Sequence, residues 1–156
     1  MNPDKKVRRL QMLLYTSGVG TILFSLWSGV REIRMFMEEI QGISSIDNQL
    51  MSEEVVRTVS GIVFFFFLFW VVALHLYIGK TAIAVGLGKR KGNAYLVLAS
   101  VILIFSVSTY IYDLISTQLF ESLEMDRIIL LAIDLTSDVI LAEVVIFSIL
   151  LKRKRK

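Results

Sequence analysis

Four apolar blocks, each about the length needed to cross a bilayer, divide this chain: 10–30, 61–81, 94–114 and 128–151. A helix rises about 1.5 Å per residue, so about 20 apolar residues span about 30 Å of hydrocarbon. Within lipid each such block must satisfy its own backbone hydrogen bonds, and a helix does so. With 55% hydrophobic residues among 156 and a mean hydropathy of +0.68, the chain is more apolar than a soluble domain of this length. The expectation is an all-α integral membrane protein: one domain, 1–156, with four transmembrane helices in an up-down bundle. The first block is as long as a full span and lacks a small-residue cleavage site, so it reads as the first membrane helix rather than a signal peptide.

The single proline is Pro3, so no span carries a proline kink. The chain has no cysteine, which excludes disulfides, thiolate metal sites and cysteine nucleophiles.

Basic residues gather on one side of the blocks. Lys5, Lys6, Arg8 and Arg9 precede the first, Lys80, Lys89, Arg90 and Lys91 flank the link between the second and third, and Lys152 to Lys156 follow the fourth. The other side holds Arg31, Arg34, Arg57 and Arg127 among Glu32, Glu38, Glu39, Asp47, Glu53, Glu54, Asp113, Glu121, Glu124 and Asp126. The positive-inside bias therefore puts both termini in the cytoplasm, in a plasma or inner membrane. Trp27, Tyr110 and Tyr112 fall at the outer boundary and Tyr77 and Tyr95 at the inner one, where amphipathic rings favour the headgroup region. The terminal KRKRK reads as a topology anchor that meets anionic lipid, not as a nucleic-acid site.

The link from Gly86 to Asn93 is short and glycine-bounded, which predicts an antiparallel hairpin of the second and third helices. The outer segment, 31–60, repeats Ile33, Phe36, Met37 and Ile40 at helical spacing. The first helix is thus expected to continue one to three turns past the membrane and to end near Gly42. Ser52 ahead of Glu53 and Glu54 predicts a capped helix start. Together these extensions would form an acidic outer collar.

Small residues mark packing faces. Ser17, Thr21, Ser25 and Gly29 recur every four residues in the first helix, and Gly79, Ala82 and Gly86 lie in similar register in the second. Without a hydrophobic drive between helices in lipid, such faces let backbones approach closely.

The fourth block carries Asp134, Asp138 and Glu143. Asp134 and Asp138 share a face, one turn apart, on the order of 9 and 15 Å below the outer boundary. An ionised Asp at a helix centre costs on the order of 3 kcal/mol, so each must be protonated, paired or hydrated. Two readings stay open: a proton or cation pathway on these carboxylates, or polar contacts with Ser17, Thr21, Ser25 or Ser106 that fix helix register. Glu143 lies about 140° round the helix from Asp138. It could pair with His75, the one histidine, or face another subunit. Asp113 reads as a rim partner for Arg31, Arg34 or Arg127.

No metal site is expected, because Asp-x-x-x-Asp with one histidine is weak ligand spacing. The chain holds no nucleophile elbow, zinc-protease motif or phosphate loop, so no enzyme activity and no cofactor is expected. Two functions remain: an oligomeric proton or cation channel or transporter using the helix-4 carboxylates, or a non-catalytic accessory or regulatory subunit that binds a membrane partner. The partners expected are lipid and either further copies of the chain or another membrane protein.

The topology is directly testable, since the natural chain has no thiol to give background labelling. Cysteines at positions 39, 54 and 124 are expected to react with an impermeant thiol reagent applied to intact cells. One at position 91 is expected to stay protected, and outside labelling there would reverse the orientation.

Overall fold

The computed structural model describes residues 3–43, 53–89, 92–116 and 125–155, and each expected span lies within a helix. These are α1 (Pro3–Ile43), α2 (Glu53–Gly86), α3 (Ala94–Ser116) and α4 (Met125–Arg155). Pro3 opens α1, where its missing N–H costs no intrahelical bond. Successive helices run antiparallel. α1 packs against α2 and α4, and α3 against the same two, so the described residues form a ring of four helices.

Among the described residues two helices, over Lys5–Glu38 and Glu54–Gly86, are long and apolar enough to cross a membrane. The corresponding stretch of α3, Ala94–Thr109, is shorter, and the apolar stretch of α4 is interrupted by Asp134, Asp138 and Glu143. Apolarity alone therefore singles out two of the four expected spans.

α1 continues past position 30 to Ile43, one residue beyond the Gly42 end expected from the stripe. Contact with α2 supports this extension. Phe36 stacks on Phe64 with ring centroids 4.0 Å apart, and Phe65 meets Phe36 edge-on at 6.2 Å. Arg34 also bridges to Glu38 one turn on, at 2.9 Å. The Ser52 cap, the collar residues Asp47, Glu121 and Glu124, and the side chains of Glu39, Asp113 and Arg127 lie outside the described residues.

The turn after α2 is built by Gly88, whose φ of 90° lies in the left-handed region. Lys89 N–H donates to the Ala84 carbonyl and Gly88 N–H to that of Val85, both at 3.0 Å. This is the paired bonding of a glycine-terminated helix end, and it reverses the chain toward α3. Asn93 then starts α3, its carbonyl accepting the N–H groups of Leu96 and Val97.

α1 and α2 meet backbone to backbone. A Cβ on Gly18 would stand 2.9 Å from the Gly79 carbonyl oxygen, and one on Gly86 would stand 2.8 Å from that of Gln11. Ser17, Thr21, Ser25 and Gly29 are all buried, as are Gly79, Ala82 and Gly86. The apolar core occupies the end of the bundle nearest the α2–α3 turn, where Leu14, Ile78, Val85, Tyr95, Leu141 and Val144 come together. Toward the other end the large apolar side chains face outward, among them Phe66, Phe69 and Phe105 at 66%, 69% and 71% exposure.

Outward hydroxyls are satisfied within their own helices. Thr16, Thr58, Ser108, Thr109 and Thr136 each donate to the carbonyl four residues back, at 2.7–3.0 Å. Such a bond spares a hydroxyl the need for water.

The α1–α2 contact makes a sharp contrast between glycines. A Cβ at Gly79 would meet Ile22 Cγ1 at 2.6 Å and the Gly18 carbonyl at 2.7 Å, whereas one at Gly61 meets nothing within 4 Å. Gly79→Ala is expected to destabilise the bundle by about 1–3 kcal/mol. Gly61→Ala is expected to stabilise it by about 0.5–1 kcal/mol. Thermal unfolding in detergent ranks the two, and equal melting would mean that the helices do not touch at Gly79.

Candidate functional site

Asp134, Asp138 and Glu143 of α4 each reach a different residue on a neighbouring helix. The contacts occur at three levels of the bundle, set by the antiparallel register of α4 against α1 and α3.

At the level farthest from the α2–α3 turn, Arg31 of α1 donates through Nη1 to Asp134 Oδ1 and through Nη2 to Glu32 Oε1, the latter at 2.6 Å. The Arg31 side chain is 17% exposed and that of Asp134 33%, so the pair is partly withdrawn from solvent. Removing one member of such a pair leaves a charge without compensation, a larger loss than the pair's net contribution. Arg31 Nε is buried and unpartnered among the described residues. Arg31 thus meets Asp134, while the Asp113 side chain considered as its partner lies outside the described residues.

One turn further along α4, Asp138 turns to α3, where Ser106 Oγ donates to its Oδ2 at 2.5 Å. Hydrogen bonds to a carboxylate oxygen are short and about twice as strong as neutral ones. Asp134 and Asp138 share a face, as their spacing requires, yet the long Arg31 side chain claims the first and the short Ser106 hydroxyl the second.

Nearer the core end, Glu143 accepts from Ser17 Oγ at 2.7 Å, with Ser17 only 4% exposed. Thr21 Oγ1 donates to the Ser17 carbonyl at 2.9 Å. Ser25 Oγ is buried without a partner among the described residues. His75 does not join Glu143. Its Nδ1 lies 2.8 Å from the Val71 carbonyl on its own helix, and since a carbonyl only accepts, Nδ1 carries the hydrogen.

The small-residue faces are also placed. Ser17, Thr21 and Ser25 line the buried side of α1, and Gly29 stands against Val72 of α2. Gly79 and Ala82 lie on the opposing face of α2, Ala82 with no exposure. Gly18 and Gly20 complete this surface without belonging to the four-residue stripe. Gly18 abuts Gly79, and a Cβ on Gly20 would stand 3.2 Å from Ile140 Cγ2 of α4. Among the described residues no three His, Asp or Glu side chains group as a metal site.

A double-mutant cycle tests the Arg31–Asp134 pair. Arg31→Met alone is expected to cost on the order of 3 kcal/mol by stranding Asp134, while Arg31→Met with Asp134→Leu should recover most of that loss. Unfolding in detergent gives the coupling, and additive losses would mean that the two charges do not interact.

No protein-family model, no curated protein and no solved structure matches this chain. Function is therefore read from the geometry of these three contacts.

Proposed function

We propose that this chain is a non-catalytic accessory or regulatory subunit of a membrane assembly. In this reading it is a multi-pass bundle of the plasma or inner membrane, with both termini in the cytoplasm. The observation that carries the reading is the commitment of Asp134, Asp138 and Glu143 to groups on neighbouring helices. A conduction path needs carboxylates that exchange a proton or cation along a continuous wet route. Here Asp138 is held by a serine, Glu143 by another, and Asp134 by an arginine, which fixes helix register and hides charge.

Three further features support a membrane setting: the two long apolar helices, the outward aromatic side chains and the outward hydroxyls bonded to their own helices. Phe65, Phe66, Phe67, Phe69 and Trp70 all project outward from α2, each more than half exposed. In the proposed assembly this aromatic face meets a second copy or another membrane protein. The competing reading, proton or cation movement, is favoured by one observation, the partial exposure of Asp134 and Asp138.

Reconstituted protein separates the two. The subunit reading expects no proton or cation flux over a range of pH and voltage, and expects Asp138→Asn to change only the melting temperature. It also expects an oligomeric mass in mild detergent, or a defined heteromeric complex, that is lost in Phe66→Ser with Trp70→Ser. Flux in the parent that disappears in Asp138→Asn would transfer the assignment to ion movement.

A further inference from the structure

A groove of about 590 Å³ runs between α3 and α4 at the core end of the bundle. Val97 and Val101 form one wall and Val145 and Ile149 the other, with Lys152 and Arg153 at the mouth. Its apolar stretch from position 93 to 101 is about 12 Å long, close to the roughly 15 Å depth of one leaflet. The mouth and floor thus differ in chemistry: cations at headgroup level, hydrocarbon below.

The cations at the mouth are not neutralised by acids among the described residues. Lys152 Nζ donates to Asn93 Oδ1 and sits 5.5 Å from the centre of the Tyr95 ring, both uncharged groups. Partial burial lowers the Lys152 pKa below the ordinary lysine value, a desolvation that a bound anion would offset. The ion pairs of the described residues lie at the opposite end, on Arg31 and Arg34. Lys5, Lys6, Arg8, Arg9 and Lys89 stand exposed at the groove's own end.

We infer that the α3–α4 groove is a binding site for one anionic phospholipid of the inner leaflet, its phosphate on Lys152 and Arg153 and an acyl chain along Val97, Val101, Val145 and Ile149. A second copy in the same orientation would bring its own basic end to this level, where like charges oppose it. An anionic headgroup carrying an apolar chain matches both parts of the groove at once. The inference rests on the membrane reading above, but lipid retention is read on the chain itself, whatever its oligomeric mass or flux.

The test is native mass spectrometry of the full chain in mild detergent, with phosphatidylglycerol or phosphatidylcholine of matched acyl chains added. Two juxtamembrane cations are expected to favour phosphatidylglycerol by about tenfold or more. Lys152→Gln with Arg153→Gln should bring that preference close to parity, whereas Lys5→Gln with Lys6→Gln, the same charge removed at the same end, should keep most of it. Val97→Trp, at a position 60% exposed, should lower phosphatidylglycerol retention several-fold with no change in charge. Ile149→Trp provides the same filling from the other wall should the first variant lose helicity. Equal retention of the two lipids by the parent overturns the inference, as does an equal loss from the Lys5 and Lys6 variant. Full retention after both groove fillings, or a change in oligomer mass in place of lipid count, does so as well.

Discussion

Close approach of α1 and α2 is the contact on which the remaining geometry depends. Where Gly18 meets Gly79 and Gly86 meets Gln11, no side chain separates the backbones. Backbones this close gain dense van der Waals contact, so the loss of one methyl-sized gap matters. The contact also fixes the rotation of α1. Ser17 and Gly18 are neighbours in sequence, about 100° apart round the helix, and they serve different partners: Gly18 lies against α2 while Ser17 reaches Glu143 of α4. Holding one face of α1 to α2 therefore aims the adjacent face at α4.

The polar groups then divide by where they point. Hydroxyls on the outside close onto their own helix, as at Thr16, Ser108 and Thr136. Ser17 and Ser106 instead give their hydrogens to carboxylates on α4. A hydroxyl that can choose between its own helix and a neighbouring acid takes the acid, because bonds to charged acceptors are stronger. Asp134, Asp138 and Glu143 are tolerable on one helix because Arg31, Ser106 and Ser17 are in register to receive them.

Much of this was legible in the sequence, and the remainder fails for a definable reason. Helix content follows from block length, and the buried side of α1 from the four-residue recurrence of Ser17, Thr21, Ser25 and Gly29. Ser106 was legible as a possible partner for Asp138, but Ser17, read as a partner for Asp134 or Asp138, takes Glu143 instead. That choice depends on the axial offset between helices distant in sequence, which no single-helix periodicity encodes. The same offset puts Arg31 beside Asp134 across 103 positions of chain. Gly18 escaped notice because it stands off the stripe, although its pairing with Gly79 brings the two backbones together. The His75 and Glu143 pairing assumed that similar depth implies contact, whereas their rotations about their own axes direct them to Val71 and Ser17.

The bundle is also uneven along its axis, and that unevenness explains the kind of contact found at Asp138. At the core end Leu14, Ile78, Tyr95, Leu141 and Val144 interlock, and α3 is held there by Tyr95 and Ala99, both without exposure. Farther along α3, Ile104, Phe105, Ile111 and Tyr112 all turn outward, between 53% and 71% exposed. Apolar packing thus fades along α3 just where Ser106 meets Asp138. A methyl group at 106 would find few neighbours to bury against, since dispersion needs partner atoms on every side. A hydrogen bond needs only one partner at the right distance, and its direction also constrains how α3 is rotated about its axis. The carboxylate at 138 accordingly stands where α3 turns its large apolar side chains outward, holding by direction what apolar contact holds by area at the other end.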